Sequence, residues 1–204
     1  MANTDDKRVK KILIEPYRPV YPTPAALIAS VDAQGKPNLI TLSEVFTISI
    51  HKPVIVGIAV RKTTYSHGLI SIQKEYSVNF PPVSLLSLVD SVGHVSGREC
   101  DKFSHFGLTP LPSTFISVPI VAECPVNLEC TVLSIQEIGD HDLFLGKVMA
   151  EHVDEDKLLN ERPDPEKLDM FAFAFREYWS IEKKIATKGF ASKSINEESR
   201  LPGG

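Results

Sequence analysis

Apolar residues along the chain fall in short runs, too closely spaced for long helices. The stretch Ala25-Ala-Leu-Ile-Ala-Ser-Val31 is compact and apolar, and Asp32-Ala-Gln-Gly-Lys-Pro37 after it reads as a polar turn. Residues 38–43 return as a second strand. Residues 46–50 and 54–60, rich in β-branched side chains, predict two more, separated by His51-Lys-Pro53. Strands this close together predict an antiparallel barrel or sandwich. Over 64–74 the period lengthens: Leu69, Ile70 and Ile72, with polar Ser66 ahead of them, predict a short amphipathic helix with an N-terminal cap. A strand over 76–80 ends at Pro81-Pro82, and Leu85, Leu86, Leu88 and Val89 mark a helix face over 84–92. Residues 91–106, with glycine and mixed charge, read as a loop with room for one helical turn.

The clearest pattern covers 122–153. Val126, Leu128, Cys130 and Val132 alternate with Asn127, Glu129 and Thr131, then the phase slips at Leu133 and continues through Ile135. A slip by one residue predicts a β-bulge. Gly139-Asp-His-Asp142 is the expected turn, and 143–153 the returning strand of a long hairpin. Residues 154–167 are charged and proline-containing, hence surface. Residues 171–181 hold five aromatics and read as a last packed segment. Residues 1–11 are polar and expected to fray. Arg18-Pro-Val-Tyr-Pro-Thr-Pro24, with three prolines in seven residues, is an extended lead-in. The expected organisation is a lead-in (1–21), one mainly β domain with short helices (22–190), and a disordered tail (191–204) with little to bury.

Composition narrows the function. A chain of 204 residues fits one domain and is long enough to bury a core without staples. The net charge is −4 and the pI about 5.9, without a basic stripe, which disfavours a nucleic-acid partner. Lys7, Arg8, Lys10 and Lys11 precede Ile12-Leu-Ile14 and read as a solvated edge before a strand. Three cysteines, an odd number, argue for a reducing compartment, and Cys124 and Cys130 have no histidine at metal-ligand spacing. No apolar run is long enough for a signal peptide or a membrane span, so a cytoplasmic location is expected.

Several chemistries lack their motifs. There is no GxGxxG between strand and helix, no Walker loop, no HExxH and no GxSxG, and the six histidines are scattered. The most informative stretch is Val60-Arg-Lys-Thr-Thr-Tyr-Ser-His67, where a strand ends and a helix begins. Free amides and the positive end of a helix attract a terminal phosphate. Arg61 can make a two-pronged contact, and Thr63, Thr64 and Ser66 can donate hydroxyl bonds. Spacing alone leaves a capped helix with surface charges equally open. Thr41-Leu-Ser-Glu-Val-Phe46 is a polar break between apolar runs, either a pocket wall or a simple connection. Ser91 to Phe103, with two glycines and mixed charges, is either a loop folded over a ligand or an ordinary surface loop.

In this order, these stretches resemble the flavin reductase-like family, especially its flavoredoxin branch. The resemblance is carried by Pro24 to Val31, Pro37-Asn38, Ser43 to Phe46, Lys62 to His67 and Tyr76 to Phe80. It continues through Val95-Ser-Gly-Arg98 with Asp101-Lys-Phe103, Leu108-Thr-Pro110, Ala122 to Cys130, and the hairpin Gly139-Asp-His-Asp-Leu-Phe-Leu-Gly146. Each motif is weak; the ordered set, with SGRxxDKF and GDHxLFxG both present, is specific. The resemblance implies a split β-barrel that dimerises and binds FMN near the subunit interface. It implies that Arg61, Lys62, Thr63, Thr64 and Ser66 hold the flavin phosphate. Thr41, Ser43, Glu44 and Val45 would face the isoalloxazine edge, and Asn79, Ser96, Gly97, Arg98 and Lys102 would close the pocket. Cys100 lies in that loop, but the family pattern does not require it. Trp179 is expected in core packing or a dimer contact rather than on the flavin. The implied function is an FMN-dependent oxidoreductase passing electrons from NAD(P)H or a redox protein. The alternatives are a non-catalytic binding module for a flavin or another phosphorylated ligand, and a purely structural barrel dimer.

Overall fold

The computed structural model describes residues 11–191. In chain order its elements are β1 (Ala26–Val31), β2 (Pro37–Leu42), β3 (Val45–Ser49), β4 (Ile55–Arg61), α1 (Tyr65–Gln73), β5 (Glu75–Phe80), α2 (Leu86–His94) and α3 (Lys102–Phe106). They continue with β6 (Pro110–Leu111), β7 (Ile120–Val121), β8 (Val126–Ile138) and β9 (His141–Val153), and end with the small hairpins β10 (Leu158–Leu159) with β11 (Arg162–Pro163) and β12 (Phe171–Ala174) with β13 (Glu177–Ser180). Seven strands form one sheet in the order β2-β1-β5-β8-β9-β4-β3, every neighbouring pair antiparallel. The sheet curls until β2 touches β4, which makes a split β-barrel of mainly β character.

Strand β1 explains the layering. All six of its residues are buried, so it reads as a continuous apolar run instead of an alternation. Ala26 and Ile28 face the barrel interior with Ile58, Val60, Val78 and Phe144. Leu27, Ala29 and Val31 face a second core with Val89, Val92, Phe103 and Val118, carried by α2, α3 and the loop before β7. The hairpin β8–β9 skips Leu133 on one strand and Met149 on the other: pairing moves from Val132↔Gly146 to Ser134↔Leu145, and from Glu129↔Ala150 to Cys130↔Val148. Two bulges in one hairpin increase its twist and help the sheet close.

Two buried polar groups shape this frame. Glu129 of β8 is fully buried, yet its carboxylate accepts from the Thr114 and Phe115 amides (2.7 Å each) and meets His152 Nε2 at 2.6 Å. Burial pushes its pKa up, but these hydrogen bonds outweigh burial and hold it below the usual glutamate range. Tyr76 lies inside the barrel, where its hydroxyl has no nitrogen or oxygen partner and closely approaches Gly146. Any side chain at 146 would strike that hydroxyl.

Some elements differ from expectation. The cap of α1 is Thr64, whose hydroxyl accepts from the His67 amide; Ser66 is already helical and buried. Residues 91–106 hold the end of α2 and all of α3 rather than one turn. The hairpin turn is only Gly139-Asp140, because His141 and Asp142 already pair with Ile138 and Glu137. Ile12, Leu13 and Ile14 form no strand and are exposed. Trp179 is 57% exposed on the last hairpin and is not a core residue. The expected tail at 192–204 and most of the frayed start lie outside the described residues.

Two substitutions test this packing by chemical denaturation. Tyr76→Phe removes a buried hydroxyl whose partner is the Cys130 thiol, a weak hydrogen-bonding group, and should change stability by less than about 1 kcal/mol. Glu129→Ala strands two amides and His152 and should cost about 3–5 kcal/mol. Because the Glu129 pKa is depressed on folding, its contribution is present above the unfolded-state value, about 4.3, and is lost as the pH falls through the lower folded value.

Candidate functional site: a cation-lined cradle and the trough beyond it

A cavity of about 260 Å³ opens where the start of α1 meets the α2–α3 connection across β2. Thr63, Thr64, Tyr65 and Ser66 form one wall, Ser96, Gly97, Arg98 and Lys102 the other, with Asn38 and Ile40 of β2 behind them. The first amides of α1 have no acceptor within the helix and point out of its N-terminus, the positive end of its dipole. Thr64 spends its hydroxyl on the helix itself, donating to the Arg61 carbonyl (2.9 Å) while capping His67. Ser66 accepts from Asn38 Nδ2 at 2.8 Å, which leaves its own proton for a ligand.

The decisive group is Lys102. Its side chain is buried to 4% exposure, and its ammonium donates to the Val92 carbonyl at 2.8 Å without forming an ion pair to any described carboxylate. Burial pulls its pKa down to about 8, opposed weakly by the neighbouring Cys100. A buried cation without a counterion is costly, and an anion in the cavity removes that cost. Arg98 stands beside it, its guanidinium 5.3 Å from the centroid of the Tyr65 ring. Gly97 is required: a Cβ there would collide with Asn38 and crowd Tyr65, so the loop can close this tightly only with glycine. Asn38 is 4% exposed and its Oδ1 has no partner.

Of the sequence-predicted phosphate residues, Thr63, Thr64 and Ser66 reach the cradle. Arg61 and Lys62 do not. Arg61 is exposed and lies 3.9 Å from Asp140, and Lys62 Nζ sits 3.2 Å from Asp142 and 3.7 Å from Glu137, all on the β8–β9 hairpin. Asp142 also meets His67 Nε2 at 2.7 Å. Burial raises its pKa, but the bonds from His67 and Lys62 hold it below the usual aspartate range. Asn79 does not reach the cradle either. It is fully buried, donating to the Leu27 carbonyl (2.9 Å) and accepting from the Val121 amide (3.0 Å), and it ties β7 to the sheet. The positive charge therefore comes from Arg98 and Lys102.

The cradle leads past Gly93 and His94 into a second cavity of about 350 Å³ bordered by Thr41, Ser43 and Glu44. Thr41 Oγ1 is tied to the Val89 carbonyl, so it fixes β2 against α2. Arg18, which sequence reasoning left in the proline-rich lead-in, reaches across to Glu44 Oε1 (2.8 Å) and Ser43 Oγ (3.3 Å). Ser43, Glu44 and Val45 then border a third cavity. Asn38, His94 and Arg18 escaped sequence reasoning as site residues. Asn38 alone had a usable signal, a carboxamide inside an apolar strand.

A split barrel of this topology, with Arg98 and Lys102 lining a cavity at a strand–helix junction that opens on a longer trough, defines the class. The sequence matches the flavin reductase like domain over residues 17–178, and the chain belongs to that family. Within it the chain falls in the flavoredoxin branch. The structure is similar to flavoredoxin of Desulfovibrio vulgaris (Miyazaki F), with a TM-score of 0.83 at 28% identity, covering 90% of this chain and 100% of that one. Flavoredoxin from Methanosarcina acetivorans gives the same TM-score and identity over 91% and 99%. An FMN-binding protein from Thermus thermophilus with bound p-hydroxybenzaldehyde gives 0.73 at 25% identity over 88% and 97%. A protein of Archaeoglobus fulgidus is 36% identical over 130 residues, 64% of this chain and 72% of that one.

The Lys102 ammonium would make the binding of an anion in this cavity pH-dependent. A bound anion would favour the charged lysine, so affinity for a phosphorylated flavin should hold steady between pH 7 and 8. It should fall by up to about tenfold per unit as the pH rises further and the free lysine loses its proton. Lys102→Met should bind more weakly and show no such fall when titrated by flavin fluorescence.

Proposed function

We propose that this protein is an FMN-binding oxidoreductase that passes electrons from NAD(P)H or a redox protein through the bound flavin. The observation that carries this reading is the buried, counterion-free Lys102 in a hydroxyl-lined cradle, joined to a trough long enough to involve three successive cavities. The residues fit the group. Arg98, Lys102, Thr63, Ser66 and the first amides of α1 would hold the phosphate. Asn38 Oδ1, lacking a partner, suits a ligand hydroxyl once the Gly97 loop adjusts. Thr41, Ser43, Glu44 and Val45 would border the ring system.

Flavin, when bound, supplies the hydride and single-electron chemistry. The chain supplies orientation and water exclusion. Arg18 and Glu44 neutralise each other at the trough wall, and Phe173 beneath Arg18 provides an apolar floor. Support for FMN comes from the FMN-binding Thermus neighbour and from the cations and hydroxyls that line the cradle.

The same reading includes a homodimer. Along the edge, β3 exposes Phe46 and Ile48, followed by Ile50. Phe46 pairs with Gly57, which pairs with Leu145, so Phe46 lies on the outer face of the sheet, and Ile48 stands at the bulge where β3 slips register. An exposed apolar edge strand invites pairing with another chain, and a second copy covers it. No helix among the described residues is long and apolar enough to cross a membrane, and all three cysteines are free, which supports a location in the reducing cytoplasm.

Two measurements test this reading. The protein mixed with FMN should show a bound-flavin absorbance that bleaches anaerobically with NADH, NADPH or a reduced redox protein. A flavin bound but inert to all three would leave only a binding module. Ile48→Lys should shift sedimentation from dimer to monomer with the fold retained; an unchanged sedimentation coefficient would place the interface elsewhere.

A further inference from the structure

A separate cavity of about 310 Å³ shares a wall with the cradle. Asn38, Tyr65, Gly97 and Arg98 border both and form the partition between them, while Lys36 and Cys100 border the second cavity alone. Cations outnumber anions around it. The Asp32 carboxylate at its edge is folded into its own turn, where Oδ1 accepts from the Gln34 and Lys36 amides at 2.9 Å each. Neither Lys36 nor Arg98 forms an ion pair among the described residues, and Arg98 lies over the Tyr65 ring instead.

The partition also holds an unpaired acceptor. Asn38 is 4% exposed, and its Nδ2 donates to Ser66 on the cradle side at 2.8 Å. Its Oδ1, on the other arm of the carboxamide, abuts Gly97 in the partition and has no partner. An N–H donor in the second cavity meets it after the same small shift of the Gly97 loop.

Among the three cysteines only Cys100 is placed to react. Cys124 and Cys130 are fully buried, and burial pushes both thiols up, that of Cys130 to about 12. Cys100 is half-buried at the cavity wall, close enough to the Lys102 ammonium for their charges to interact. A thiolate there has Lys102 on one side and Arg98 in the partition, the positive and partly exposed setting in which thiolates react.

We propose that Cys100 is a thiolation site for a small anionic disulfide, whose carboxylates lie on Lys36 and Arg98 and whose N–H meets Asn38 Oδ1. The Cys100 thiolate attacks one sulfur of the disulfide, and a new S–S bond forms as the old one breaks. The other half leaves as a thiolate and takes its proton from water, so Cys100 is oxidised and the incoming disulfide is reduced. Excess thiol reverses the exchange. Because Arg98 borders both cavities, an adduct that holds it withdraws it from the cradle and weakens FMN. That consequence rests on the reading above; the thiolation site does not.

The test exposes the full-length protein to glutathione disulfide, which carries carboxylates, and to cystamine, which has the same S–S bond between cationic arms, and follows the intact mass. Each rate is scaled by that disulfide's rate with free cysteine. Glutathione disulfide should leave a single adduct, formed at least about tenfold faster than with cystamine on that scale, and Cys100→Ser should abolish it. Lys36→Met should slow glutathione disulfide about two- to fivefold without slowing cystamine. The adduct should bind FMN about tenfold more weakly in equilibrium dialysis, while untreated Cys100→Ser binds it like the parent. No adduct, an adduct that persists in Cys100→Ser, equal scaled rates or indifference to Lys36→Met would overturn the site. An adduct that leaves FMN affinity unchanged would overturn the shared wall. Adduct formation in a protein that binds no FMN would uphold the site and sink the flavin reading.

Discussion

Burial of β1 on both faces is the constraint on which the rest of the structure depends. A strand covered on both sides needs two cores, and the chain supplies them with the curled sheet on one side and α2, α3 and the Leu108–Cys124 region on the other. That requirement places α1 and the α2–α3 connection at the same end of β2. The cradle is the space left between them. Asn79 and Asn127, both buried, tie β7 to the sheet and hold the second core in place without touching the cradle.

Electrostatics then give that space its chemistry. The cations are divided between two roles. Arg61 and Lys62 join the acidic β8–β9 hairpin and fix the approach of β4 to α1. Arg98 and Lys102 face the cradle, and Lys102 does so without a carboxylate partner among the described residues. A folded chain keeps a buried ammonium unpaired at a cost in stability, and a bound dianion recovers it.

Much of this was legible in the sequence, for identifiable reasons. Strands β1 to β5 follow from short apolar or β-branched runs bounded by Gly/Pro turns, the long hairpin follows from alternation, and the slip at Leu133 marked a real bulge. The Arg61–Ser66 stretch pointed to the correct strand–helix junction. What it did not show was the direction of each side chain: Arg61 and Lys62 are adjacent to the cradle in sequence but find acidic partners 75 or more residues away, on a hairpin whose placement is tertiary. Asn79 was placed at the pocket by the family resemblance alone; its carboxamide is instead committed to the Leu27 carbonyl and the Val121 amide. Arg18 was hidden in a proline-rich lead-in, because long-range docking of an irregular segment leaves no periodicity.

The most direct test of the central claim, that a buried lysine-centred cradle holds the phosphate of a flavin, is to compare the affinities of FMN and riboflavin by equilibrium dialysis. They share the ring system and ribityl chain and differ in the phosphate. Two charge-assisted contacts, at about 1.5–3 kcal/mol each, predict that FMN binds at least about 100-fold more tightly, and that Lys102→Met reduces the difference by about tenfold or more. Equal affinities for FMN and riboflavin in the parent protein would contradict the account.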